Sequence, residues 1–262
     1  MLYMQMCGFL LLTLAMPRLG GWGRLFDGSG WQPWTWGILA GVLNTSSTLA
    51  LYRSFEIGKL SIVAPISACY PVLTMLLSAF TGERLTPVRL FGLALAIGGV
   101  VMVARGEKMA GDANLIDAQK QPAKKNLGVG WALYAGVGFG IMFWLLGLKV
   151  VPLLGSSPSV WIIRLTSVVS TALVMLAFRQ SMAAPVPRDT PWIFGVGLLD
   201  TSAYVFNNYG MQHEQTSVVS VLASLYGAVT VALAAVLLRE SVSRSQWLGI
   251  AAIFAGIILI SR

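Results

Sequence analysis

Long apolar runs separated by short polar clusters make up most of the chain. The runs fall at about 1–16, 34–53, 60–81, 86–104, 128–151, 158–178, 191–211, 217–238 and 244–261. A helix needs about 20 mainly apolar residues to cross the hydrocarbon of a bilayer, and most of these runs meet that. Only helices and closed barrels pair every backbone N–H and C=O in lipid. None of the runs alternates strictly between polar and apolar positions, which excludes a barrel. The pattern predicts an all-α integral membrane protein with about nine transmembrane helices.

Composition supports the same solvent. The 262 residues are 56% hydrophobic and 11% charged, with a mean hydropathy of +0.74. A soluble domain carries about 25% charged residues, so this chain has too little polar surface to face water on all sides. The net charge of +8 does not point to nucleic acid. Its basic residues sit at helix ends, where Lys and Arg anchor spans and bias their orientation. Cys7 and Cys69 lie inside predicted spans without clustered His or Cys. They read as packing residues, and neither a metal site nor a cofactor is expected. The opening segment, MLYMQMCGFLLLTLAM, lacks a basic n-region and a small-residue cleavage site, so it reads as a retained helix.

The most polar stretch, RGEKMAGDANLIDAQKQPAKKN at 105–126, divides the chain near its middle and reads as a solvated linker. The halves on either side resemble each other. Asn44 through Arg105 overlays Asp200 through Arg262 with one single-residue adjustment. Thr45 and Ser46 fall on Thr201 and Ser202, Ser61 on Ser217, Tyr70 on Tyr226 and Thr74 on Thr230. Beyond the adjustment Glu83 falls on Glu240, Gly92 on Gly249, Gly99 on Gly256 and Arg105 on Arg262. Thr86 and Pro87 suit the cap and first position of a helix. Ser243 and Gln246 fit a capping box. Glu83 and Glu240 precede helix N-termini, which favour negative charge, so they read as structural. The glycine pairs are seven apart on one face, where small residues let helices approach closely. The expected organisation is a first repeat over 1–105, a polar linker over 106–126 and a second repeat over 127–262.

The segments LSIVAPISACYPVLTMLLSAFTGERLTPVRLFGLALAIGGVVMVAR at 60–105 and TSVVSVLASLYGAVTVALAAVLLRESVSRSQWLGIAAIFAGIILISR at 216–262 resemble the drug/metabolite transporter superfamily, in particular its EamA-type members. The resemblance rests on pattern over nearly the whole chain, not on a catalytic signature. It implies ten helices, as two five-helix repeats of opposite topology around a central cavity. Here the second half has five spans and the first has four, so the first repeat is expected to lack its first helix. Either the start is truncated or this is a nine-helix variant. Orientation stays open. One set of loops (53–59, 105–126, 179–189 and 239–244) carries 11 Lys and Arg. The other side carries six: Arg18, Arg24, Arg84, Arg89, Lys149 and Arg262. The positive-inside rule puts the first set in the cytoplasm, whereas the resemblance puts the C-terminus there.

Two charges lie well inside predicted spans, Arg164 and Asp200. A charge at the bilayer centre costs about 2.5–3.5 kcal/mol even on the lenient insertion scale, so such residues face a bundle interior or a wet cavity. Asp200 falls on Asn44 in the repeat overlay. Matched polar stretches near the middle of two helices are where transporters built from inverted repeats bind substrate. At 1.5 Å per residue, Arg164 lies about 9 Å from the shared membrane face, Asp200 about 17 Å, and Asn207 and Asn208 about 5–6 Å. Arg164 reaches either group and is slightly closer in level to the asparagines. A structural ion pair or a snorkelling Arg164 is one reading, and anchoring of a substrate carboxylate or phosphate by Arg164 is the other. Trp144, Trp161 and Tyr204 are candidate cavity walls, although belt anchoring accounts for most aromatics here. The glycines of GVGFG at 136–140 allow close packing or bending, and Pro65 and Pro71 kink the helix 60–81 where a gating hinge is one option.

These features favour a secondary transporter of small organic solutes across the cytoplasmic membrane. By resemblance it exports amino acids or related metabolites by alternating access, with protons a candidate coupling ion at Asp200. A non-transporting or truncated membrane subunit is the alternative. An intramembrane enzyme fails on inventory: His213 is the only histidine and is expected in a loop, and there is no HExxH, GxSxG or second intramembrane aspartate. Oligomeric state has no sequence signal.

Overall fold

The computed structural model describes residues 1–27, 30–82, 86–113, 127–179, 186–237 and 243–260. Glu83, Arg84, Glu240, Arg262 and most of the expected linker lie outside these residues. Among the described residues there are helices and no strands. They are α1 (Leu2–Ala15), α2 (Gly21–Leu25), α3 (Gln32–Ile57), α4 (Leu60–Ser67), α5 (Tyr70–Phe80) and α6 (Pro87–Ala113). Next come α7 (Leu127–Leu145), a π-helical turn (Leu146–Val150), α8 (Val151–Leu154), α9 (Ser156–Ala177) and α10 (Thr190–His213). α11 (Thr216–Ser224), α12 (Tyr226–Leu237) and α13 (Arg244–Ile260) complete the order. By length and composition, Leu60–Phe80, Gly128–Leu154 and Ser156–Ala177 each suit a membrane crossing.

Local chemistry sets several boundaries. α6 begins at Pro87, and the Thr86 hydroxyl accepts from the Arg89 N–H at 3.4 Å, the cap the sequence predicts. The same helix continues to Ala113, into the stretch expected to be linker. His213, expected in a loop, is instead the last residue of α10, with its ring 4.6 Å from that of Tyr209.

Packing divides the chain into two compact units, each drawing helices from both halves of the sequence. The first comprises Met1–Thr45 and Met142–Gln215, the second Ser46–Ile141 and Thr216–Arg262. This is a division by contact, whereas the sequence repeats are a division by likeness.

The second unit is built on two broken helices. Pro65 sits inside α4 and Pro71 in the first turn of α5, and the chain breaks between them. The break between α11 and α12 falls at the matched position without any proline. Both breaks tighten in the same way: Cys69 N–H donates to the Ile66 carbonyl, and Leu225 N–H to the Leu222 carbonyl, each at 3.3 Å. Serine hydroxyls turn back onto carbonyls three residues earlier, from Ser67 to Ala64, Ser220 to Ser217 and Ser224 to Val221. Such bonds offer the backbone an alternative to the helical ladder.

The broken helices cross in a near-symmetric way. The Tyr70 hydroxyl donates to the Ser220 carbonyl at 3.0 Å, and the Tyr226 hydroxyl lies 3.3 Å from the Ser67 hydroxyl. Beside them α6 and α13 run antiparallel on their glycines. A Cβ on Gly92 would lie 2.7 Å from the Gly256 carbonyl oxygen, and one on Gly99 2.5 Å from that of Gly249. Since Gly92 matches Gly249 and Gly99 matches Gly256, these two contacts are images of one another. An antiparallel self-matching pair is the geometry of an inverted repeat. The expected close packing of GVGFG is present too, with Gly138 against Ser47 and Gly140 against Leu73.

Candidate functional site

The second unit holds an apolar groove of about 180 Å³ lined by residues including Ile66, Cys69, Leu73, Leu133 and Val137. Those walls offer little to orient a polar solute. The polar constellation lies in the first unit, and α9 and α10 supply its charges.

α9 buries Val160, Ile163, Arg164, Ser167 and Thr171, positions that recur along one helical face. Arg164 is therefore placed inward by its register and is 1% exposed. On α10, Gly197, Thr201, Asn208 and Met211 face inward, with Asp200, Tyr204 and Asn207 half-buried beside them. Arg164 Nη2 lies 2.8 Å from Asp200 Oδ2. Its Nη1 donates to Gln5 Oε1 of α1, and the guanidinium sits 5.0 Å from the centroid of the Tyr204 ring. The Tyr204 hydroxyl donates to Asn44 Oδ1 at 2.6 Å, and Asn44 Nδ2 donates to Ser167 Oγ at 3.2 Å. The network thus runs from α1 through α9, α10 and α3 and returns to α9.

The two charges occupy different surroundings. The Arg164 side chain is 2% exposed and that of Asp200 34%. A buried guanidinium without a counter-charge would cost several kcal/mol, and the carboxylate offsets that cost.

Of the residues singled out from sequence, Arg164, Asp200, Tyr204 and Asn44 come together. Asn207 and Asn208 do not join Arg164; they lie two turns further along α10, where Asn207 Nδ2 donates to Asn208 Oδ1 at 3.4 Å. Relative depth favoured the asparagines by a few ångströms. An extended arginine spans that difference, and the opposite charge takes it. Trp161, one turn before Arg164, is the centre of an aromatic cluster. Its ring lies 5.3 Å from Phe9, 5.4 Å from Trp22 and 6.4 Å from Trp34, and its Nε1 donates to Thr13 Oγ1 at 2.9 Å. Trp144 is half-buried, and its neighbour Phe143 stacks on Tyr204 with ring centroids 6.4 Å apart.

Gln5 and Ser167 are site residues that the sequence reading missed. Gln5 carried a usable signal, a lone amide in the otherwise apolar run 1–12. A polar side chain at such a position needs a partner in the bundle. Ser167 carried none, because serine is common in membrane helices.

Comparisons with known proteins agree with this architecture. An uncharacterised transporter of Archaeoglobus fulgidus is 36% identical over 76 residues, 29% of this chain and 28% of that protein. An uncharacterised protein of Methanocaldococcus jannaschii is 37% identical over 71 residues, 27% of this chain and 52% of that protein. The alignments thus span about half or less of these relatives. One crystal structure superposes with a TM-score of 0.67 at 17% identity, covering 99% of this chain and 85% of its own, a likeness of fold. The model of the EamA-like transporter family matches residues 1–105 and 126–262. Members of that family are transporters, not enzymes, and are multi-pass membrane proteins. The chain belongs to the EamA-like transporter family.

Proposed function

We propose that this protein is a secondary transporter of small organic solutes in the cytoplasmic membrane, exporting amino acids or related metabolites by alternating access. The observation that carries this reading is the Arg164–Asp200 pair, a buried charge and a partly exposed one joined to a buried polar network in a helical unit. Charges inside membrane helices are expensive and are kept where they serve a solute or ion path. Family membership and the antiparallel, self-matching α6 and α13 pair support the transport mechanism, since inverted repeats underlie alternating access. Asp200, Tyr204 and Asn44 line the solute site in this reading, with Arg164 buried behind Asp200, and Asp200 is the group that couples to protons. Trp161 and Trp144 act as walls, and Asn207 and Asn208 extend the polar face of α10.

The test is an untargeted comparison of external metabolites from bacteria expressing the chain or its Asp200→Asn variant at equal membrane abundance. One or more compounds should accumulate outside only with the unmodified chain. Equal export by the variant would remove Asp200 from the mechanism.

A further inference from the structure

We propose that the site recognises its solute through a protonated amine seated on the exposed side of Asp200, and that Arg164 positions this carboxylate and does not bind the solute. The inference rests on the transport reading and adds the chemical class of the ligand.

Arginine in a transporter site is ordinarily the first candidate for an anion. Here its donors are closed off. Nη1 is taken by Gln5, Nη2 faces Asp200, and the guanidinium lies over Tyr204. Nε and Nη2 make no hydrogen bond, but both are buried, and Nη2 is held in an ion pair with Asp200. A carboxylate or phosphate would have to displace Asp200 from the guanidinium and then sit against it, bringing two like charges together. Such juxtaposition costs several kcal/mol.

Asp200 presents the opposite case. One oxygen meets Arg164, the side chain is about a third exposed, and no other partner reaches the carboxylate among the described residues. The accessible charge of the network is therefore negative, even though the pair as a whole is neutral. An ammonium group has three donors and no acceptor, which suits an oxygen with unused lone pairs. An amino acid would thus be held by its amino end, and its carboxylate would contribute little.

Isothermal titration calorimetry of the full chain in nanodiscs tests this with two matched sets of probes. One is 2-phenylethylamine, phenylalanine and 3-phenylpropionate; the other is isopentylamine, leucine and 4-methylpentanoate. Within at least one set the amine should bind more tightly than the carboxylate by about tenfold or more. The charge-neutral double variant Arg164→Gln/Asp200→Asn should lose that preference. Equal or tighter binding of the carboxylates, no binding by either amine, or an unchanged preference in the double variant overturns the proposal. The wild-type ranking is decisive if the double variant does not fold. Export in the metabolite comparison alongside carboxylate preference would overturn the amine inference alone.

Discussion

Arg164 and Asp200 share an ion pair but not an environment, and that difference governs what each substitution does. Removing the carboxylate leaves a 2% exposed guanidinium without its counter-charge, whereas removing the guanidinium leaves a carboxylate that is already 34% exposed. Breaking a buried pair from the buried side costs about 3–5 kcal/mol, and neutralising both partners recovers much of it. Asp200→Asn should therefore lower the thermal unfolding temperature in detergent more than Arg164→Gln does, with the double variant above Asp200→Asn. The reverse order would mean that Arg164 is better solvated than its burial implies. The two charges were legible in sequence because each is alone in an apolar run, but their pairing was not, since depth placed Arg164 slightly closer to the asparagines. The surroundings of the pair were not legible either. Gln5 is more than a hundred residues away in the chain, and no periodicity within one helix announces a partner on another.

At the scale of elements, patterning located helices well and their breaks only half. Pro65 and Pro71 mark the first break by removing backbone donors. The second, at Leu225, has no proline and arises where serine hydroxyls compete for carbonyls. Its signal was the repeat itself, since Leu225 matches Cys69 in the overlay. The glycines were read correctly as contact residues, and they give a sharp contrast between neighbours. A Cβ on Gly99 would meet backbone of α13 at 2.5 Å, while one on Gly98 would meet nothing within 4 Å. Gly99→Ala should therefore destabilise by about 1–3 kcal/mol through overpacking. Gly98→Ala should be neutral or stabilising, because alanine lowers the entropic cost of forming the helix. Thermal unfolding of the two variants side by side decides it. Equal effects would place α6 and α13 further apart than their glycines indicate.

For the whole molecule, the strongest consequence of the internal repeat concerns membrane topology. The antiparallel contacts of Gly92 with Gly256 and Gly99 with Gly249 relate one half of the sequence to the other by a reversal of direction. If that reversal holds along the chain, matched loops of the two repeats face opposite sides of the membrane. The turn after α3 and the turn after α10 are such a matched pair, marked by the exposed residues Glu56, in the last turn of α3, and Glu214, just after α10. Single cysteines at these two positions, in a background with Cys7 and Cys69 replaced by alanine, should react with a membrane-impermeant maleimide from opposite sides. Glu56→Cys labelled in intact cells would leave Glu214→Cys reactive only in inverted vesicles, or the converse. Either assignment settles the orientation that basic residues leave open, since 11 on one side against six on the other owes much to a single loop. Labelling of both from the same side would contradict inverted topology, and with it the structural basis of the alternating access proposed above.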